Sequence, residues 1–157
     1  MQNVLKIAVD AMGGDGSPKK VIDGIIHHYK KNNNTFYKIF GDQEKISKFI
    51  SNNLNKDAFE IIHTNEIVEG TDTPLAAAKR GKNTSMWNTI ASQTNGESDI
   101  SLSAGNTGVL LVISKMILRS IENRQPLIST FITSTPSGRR PRSNGTSPCP
   151  HGTRRVS

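Results

Sequence analysis

Short apolar runs alternate with segments of helical periodicity along the first 132 residues, and this alternation limits the fold more than any other feature of the chain. VLKIAV (4–9) has the continuous apolar character of a strand buried on both faces, and Val21, Ile22, Ile25, Ile26 and Tyr29 then recur at helical spacing. Ser17 stands where it could cap that helix, with Pro18 at its first position. FYKIF (36–40) reads as a second strand, followed by a helix capped by Asp42 that carries Ile46, Phe49, Ile50 and Leu54, and FEIIH (59–63) reads as a third strand. After the polar TNEIVEGTDTP, Pro74 opens the helical segment LAAAKRGKNTSMWNTIASQ, with a break available at Gly81. DISLS (99–103), the turn AGNTG, an apolar helix over 109–121 and a strand PLISTFI (126–132) complete the series. Strands alternating with helices predict βαβ units, hence an α/β fold with a mostly parallel sheet and helices on both faces, a Rossmann-like arrangement of three layers.

The chain of 157 residues suits one domain, which the pattern confines to residues 1–132. Its net charge of +7 is unevenly spread: residues 1–126 hold 12 Lys, 3 Arg and all 13 acidic residues, a balance of +2, whereas residues 127–157 hold 5 Arg and no acid, a balance of +5. The body is rich in Lys, Asn and Ile, and the segment 133–157 switches to Arg, Pro, Gly, Ser and Thr without apolar periodicity. That change of composition predicts a disordered tail, frameshifted or foreign to the rest. A basic arm for RNA is the functional alternative, but the tail has no Phe, Tyr or Trp to stack on bases, so no nucleic-acid partner is expected. No run approaches the roughly 18 apolar residues of a membrane span. The start MQNVLKIAVD lacks the features of a secretory signal, and the single Cys149 forms no internal disulfide; a cytoplasmic, soluble protein is expected.

Two loops carry the chemistry. After the first strand comes DAMGGDGSP, in which Gly13, Gly14 and Gly16 permit close backbone approach just before a helix N-terminus; after the fourth comes SAGNTG, Ser103 to Gly108, again before a helix. Both suit an anion, and both are equally compatible with plain strand-to-helix turns. Neither spells a P-loop or a dinucleotide fingerprint. Asp10 and Asp15 could cap the turn, act as acid and base, or hold a cation. Lys79, Arg80 and Lys82 could neutralise an oxyanion or simply face solvent. The histidines lack zinc-ligand spacing, and no Ser or Cys sits in a nucleophile motif. Neither a metal nor a cofactor is implied.

KIAVDAMGGDGSPKKVIDG resembles the opening of the bacterial phosphate acyltransferase (PlsX) family. TPLAAAKRGKNTSM is similar to that family's P-x-x-A-x-R-x-K-x-x-S-M segment, and SLSAGNTGVLL to its S-A-G-N-T-G-A-L segment. The likeness ends near residue 132, and family members are considerably longer, so the chain is expected to be an N-terminal part, truncated and inactive or unstable by itself. The resemblance implies transfer of a fatty acyl group from acyl carrier protein to inorganic phosphate, giving acyl phosphate for phospholipid synthesis. Phosphate is then the nucleophile, consistent with the lack of a serine or cysteine triad. By matched motif, Asn106, Asp15 and Lys82 are the candidate catalytic residues. Gly13, Gly14, Lys79, Arg80, Ser103, Gly105, Thr107 and Gly108 are candidates for binding phosphate or substrate. Asn106 with nearby N–H groups would hold phosphate or oxyanion, and Asp10 or Asp15 would orient the first loop. The resemblance also implies a homodimer, peripheral membrane association and a membrane acyltransferase partner. A non-catalytic, partner-binding remnant is the alternative, as is nucleic-acid binding by the tail. Deleting residues 137–157 is expected to leave nucleic-acid affinity unchanged; tight, salt-sensitive binding lost on that deletion would reverse the reading.

Overall fold

The computed structural model describes residues 4–50 and 54–118. A four-stranded parallel sheet of order β3-β2-β1-β4 is formed by β1 (Leu5–Asp10), β2 (Thr35–Gly41), β3 (Phe59–His63) and β4 (Ile100–Ser103). The register sets Asp10 opposite Phe40 on one side and Ser103 on the other, so the carboxyl ends of β1 and β4 lie together. The helices are α1 (Lys19–Lys31), α2 (Gln43–Ile50), α3 (Pro74–Arg80), α4 (Ser85–Thr94) and α5 (Thr107–Leu118). The α/β parallel architecture expected from the alternating pattern is present; the expected fifth strand, 126–132, and the tail fall outside the described residues.

The side-chain period of two divides β1 between the faces. Ile7 and Val9 join Tyr37 and Ile39 of β2 beneath Ile22 and Ile25 of α1 and Ile46 and Ile50 of α2. Ala8 and Asp10, buried on the opposite face, lie under α4, which packs across β1, β2 and β4. On that side Ser101 donates its hydroxyl to Thr89 O and Gln93 Oε1, both at 3.0 Å. A second core joins Met86 and Ile90 of α4 to Val109 and Ile113 of α5, with Ala77 and Val68. Parallel strands need crossover helices, and these helices cover both faces as a consequence. β4 is the exception: its Ile100 and Leu102 point to the α1 side and remain 41% and 50% exposed.

Local chemistry explains the boundaries. Asp42 Oδ1 accepts from the N–H groups of Glu44 (3.0 Å) and Lys45 (3.3 Å) and starts α2 as expected. The break at Gly81 is complete: φ is +50° there, residues Gly81–Asn83 form one 3-10 turn, and Thr84 opens α4 by accepting the Trp87 N–H at 3.3 Å. Ser17, expected to cap α1, does not. The helix begins at Lys19, so Pro18 and not Ser17 takes the cap position, and the Ser17 hydroxyl donates to Gly13 O within the loop.

Ile39 is fully buried at the centre of the first core. Ile39→Ala is expected to cost about 2–5 kcal/mol, by lost transfer energy and the cavity left behind. Urea unfolding of the variant beside the wild type checks this, and a loss below about 1 kcal/mol would mean that the core collapses around the site.

Candidate functional site

The two glycine loops meet at the carboxyl ends of β1 and β4. Asp10, the last residue of β1, is 1% exposed. Its Oδ1 accepts the Met12 N–H at 3.1 Å, and its Oδ2 accepts the Ser103 hydroxyl at 2.8 Å. Ser103 in turn accepts the Gly105 N–H at 3.1 Å, so one carboxylate ties both loops to the sheet. Burial pushes the Asp10 carboxyl above the usual carboxylate range, against the Ser85 and Ser103 hydroxyls and the Met12 and Gly13 N–H groups, which favour the charge.

The loops approach too closely for side chains at the contact. A Cβ at Gly13 would lie 2.7 Å from Asp10 Oδ2 and 2.8 Å from Gly105 N. At Gly14, where φ is +88°, a Cβ would lie 2.5 Å from the Ala104 carbonyl oxygen. Only glycine satisfies both the space and the left-handed conformation. Beyond the contact Gly14, Asp15 and Gly16 are exposed, and their backbone N–H groups donate to no other described residue.

Asn106 opens α5. Its Oδ1 accepts the Gly108 and Val109 N–H groups at 2.9 and 3.2 Å, while its Nδ2 donates to Gly70 O at 2.9 Å and Asp72 O at 3.3 Å. The amide thus caps α5 with its oxygen and holds the 70–72 turn with its nitrogen. Thr107 and Gly108 are exposed in the first turn of α5, whose partial positive end lies beside the second loop.

The basic segment divides. Arg80 pairs with Asp72 and donates to Ile67 O at 3.2 Å, which anchors the 67–72 stretch that Asn106 grips from the other side. Hydrogen bonding from the Glu69 N–H, the largest influence, and the Arg80 charge hold the Asp72 carboxyl below its usual range. Lys79 and Lys82 are exposed and make no ion pair with another described residue. Asp15, also exposed, stands at the mouth of a cavity beside the loops. The first-loop and second-loop candidates therefore come together, and Arg80 is linked to them through the 70–72 turn. Asp72 escaped the sequence reading; its only signal was a carboxylate in a polar stretch, with nothing to indicate that Arg80 would fold back onto it.

The Asp10 shift has a pH consequence. The native state binds this proton more tightly than the unfolded chain does, so the contribution of Asp10 to stability falls as pH rises from the ordinary carboxylate value through the raised native value. Asp10→Asn keeps an acceptor for Met12 and removes the titration. The stability of the wild type relative to Asp10→Asn is expected to decline from acid toward neutral pH in paired unfolding curves; a pH-independent difference would contradict the assignment.

Residues 5–137 match the family described as Fatty acid synthesis protein. The chain is 66% identical over 123 residues to the phosphate acyltransferase of Pelagibacter ubique (strain HTCC1062), covering 78% of this chain and 37% of that protein. It is 35% identical to the phosphate acyltransferase of Lactococcus lactis subsp. lactis (strain IL1403) and 37% identical to that of Listeria monocytogenes serotype 4a (strain HCC23), in each case over 85% of this chain and 40% of the relative. The chain thus spans well under half the length of these curated relatives. A match that runs from β1 through both glycine loops, together with 66% identity to one relative, establishes that the chain belongs to the phosphate acyltransferase (PlsX) family.

Proposed function

We propose that the paired loops form part of a site for transferring a fatty acyl group from the thioester of acyl carrier protein to inorganic phosphate. One observation supports the reading: the N–H groups of the exposed residues Gly14, Asp15 and Gly16, which donate to no other described residue, belong to the loop that packs against the Ser103–Gly105 turn at the carboxyl edge of a parallel sheet. The relatives' name, phosphate acyltransferase, supports the chemistry. In the reaction a phosphate oxygen attacks the thioester carbonyl, a C–O bond forms, and the tetrahedral oxyanion collapses with cleavage of the C–S bond. The thiolate leaves and takes up a proton from water. What such a site must supply is position and charge stabilisation: donors fixed on the phosphate and on the developing oxyanion, with no nucleophilic side chain required.

The proposed roles follow from the contacts. Gly13 and Gly14 permit the loop contact, Ser103 and Gly105 hold the second loop on Asp10, and Asn106 aligns the first turn of α5, where Thr107 and Gly108 stand. Lys79 and Lys82 supply exposed positive charge, and Arg80, neutralised by its pair with Asp72, holds the 70–72 turn in place. Asp15 at the mouth would orient the incoming phosphate or accept a proton from it. The homodimer, the peripheral membrane location, the cytoplasmic compartment and the reduced activity of a chain this short belong to the same proposal. Among the described residues no helix is long and apolar enough to cross a membrane. A second reading, partner binding without catalysis, draws support from exposed Leu111 and Met116 on α5, at 47% and 54%.

Inorganic phosphate titrated into the chain is expected to bind, and Gly14→Ala to weaken binding tenfold or more by forcing the loops apart. Hydroxylamine trapping of acyl phosphate, from an acyl carrier protein thioester and phosphate, reads the reaction directly. Absence of phosphate binding, or binding unaffected by Gly14→Ala in a folded variant, would refute the site. Oligomers in sedimentation without any trapped product would favour partner binding.

A further inference from the structure

Asp72 belongs to no motif that the sequence singles out, yet several contacts converge on it. Its carboxylate accepts the Glu69 N–H at 2.7 Å while its own N–H donates to Glu69 O at 3.1 Å, so the 69–72 turn is closed from both ends. The same carboxylate pairs with Arg80, the last residue of α3, whose guanidinium also donates to Ile67 O at 3.2 Å. The turn held in this way presents two backbone oxygens, Gly70 O and Asp72 O, to the Asn106 side chain at 2.9 and 3.3 Å.

Those oxygens decide how the Asn106 amide is oriented. An amide NH2 only donates, and an amide oxygen only accepts. Gly70 O and Asp72 O meet the nitrogen, and the Gly108 and Val109 N–H groups meet the oxygen at 2.9 and 3.2 Å. One orientation satisfies all four groups; a half-turn of the amide would set oxygen against carbonyls and NH2 against N–H groups. Without the two carbonyls, only the α5 cap would hold the amide.

The Arg80 and Asp72 side chains keep 36% and 18% of their surface exposed. Ion pairs that reach solvent contribute little to overall stability, so what this pair supplies is the place of the turn.

We infer that Asp72 is a positioning residue of the site: by holding the 69–72 turn it fixes the Asn106 amide, and through that amide the first turn of α5, without touching the reacting atoms. The inference rests on the acyl-transfer reading above and adds to it the route by which a residue 34 positions from Asn106 sets the second loop.

The test compares the full 157-residue chain with Asp72→Asn, which keeps an acceptor for the Glu69 N–H and removes the charge that Arg80 binds. Glu97→Gln, which breaks the Lys38–Glu97 pair before the amino end of β4, is the control for losing an ion pair elsewhere. Nuclear magnetic resonance reads the Asn106 NH2 and the Gly108 and Val109 N–H groups directly. In Asp72→Asn these signals are expected to shift and to exchange faster with water, while the urea midpoint stays close to that of the wild type. In Glu97→Gln they should stay as in the wild type. Affinity for inorganic phosphate is expected to fall about fivefold in Asp72→Asn, and to fall no further when Asp72→Asn is added to Asn106→Ala, because a residue acting through Asn106 then has nothing to position. Should Asp72→Asn fail to fold, Arg80→Lys, which keeps the charge and loses the fork that grips Asp72 and Ile67 O together, carries the same expectation for the Asn106 signals.

Unchanged Asn106 signals in a folded variant overturn the inference, as does an equal response to Glu97→Gln or a loss of affinity that adds in full to that of Asn106→Ala. A wild-type chain that binds no phosphate, while its Asn106 signals respond to Asp72→Asn, would refute the acyl-transfer reading and keep the link from Asp72 to Asn106. Phosphate binding sensitive to Gly14→Ala but indifferent to Asp72→Asn would keep the site and refute the inference.

Discussion

The contact of two backbone loops over one buried carboxylate organises this structure. Gly13 and Gly14 bring the first loop against Ala104 and Gly105 at distances no side chain could tolerate, and Asp10 accepts hydrogen bonds from both sides of the junction. A buried carboxylate is costly unless its acceptors are used, and here the donors are backbone N–H groups and a serine hydroxyl, not a cation. The loops are therefore fixed by directional bonds at their roots. Past these bonds, the backbone N–H groups of residues 14–16 donate to no other described residue.

A second linkage extends the first. Asn106 uses both halves of its amide, capping α5 with one and gripping the 70–72 turn with the other, while Arg80 and Asp72 lock that turn from the α3 side. Three segments distant in sequence thereby share one framework: the loop after β1, the loop after β4 and the end of α3. Positive charge enters this framework as support as well as surface. Arg80 is engaged in structure, and Lys79 and Lys82 remain at the exposed rim.

Much of this was legible in the chain. Continuous apolar runs with intervening helical periodicity identify parallel strands and their crossovers because a strand covered on both faces has no polar side to reveal. Gly81 was readable as a break because glycine there accepts a φ of +50°. The glycines of both loops were readable as candidates for close approach, although turn and cradle looked alike in sequence. Other features were not legible. Ser17 looked like a helix cap, but α1 starts one residue too late for that, and the hydroxyl binds the Gly13 carbonyl within the loop. Asp10 and Asp15 were indistinguishable by spacing; burial separates them, with Asp10 enclosed at the strand end and Asp15 at the mouth.

By itself the sequence determined the strand and helix order, the parallel α/β class and the two glycine loops, because these follow from local periodicity and from the steric freedom of glycine. Only the tertiary structure decided which carboxylate is buried, which cation is already paired, and that the two glycine loops meet over Asp10. Those properties depend on contacts between residues up to 93 positions apart, as between Asp10 and Ser103, and pairing over such distances is set by sheet register and helix packing, which no local pattern records.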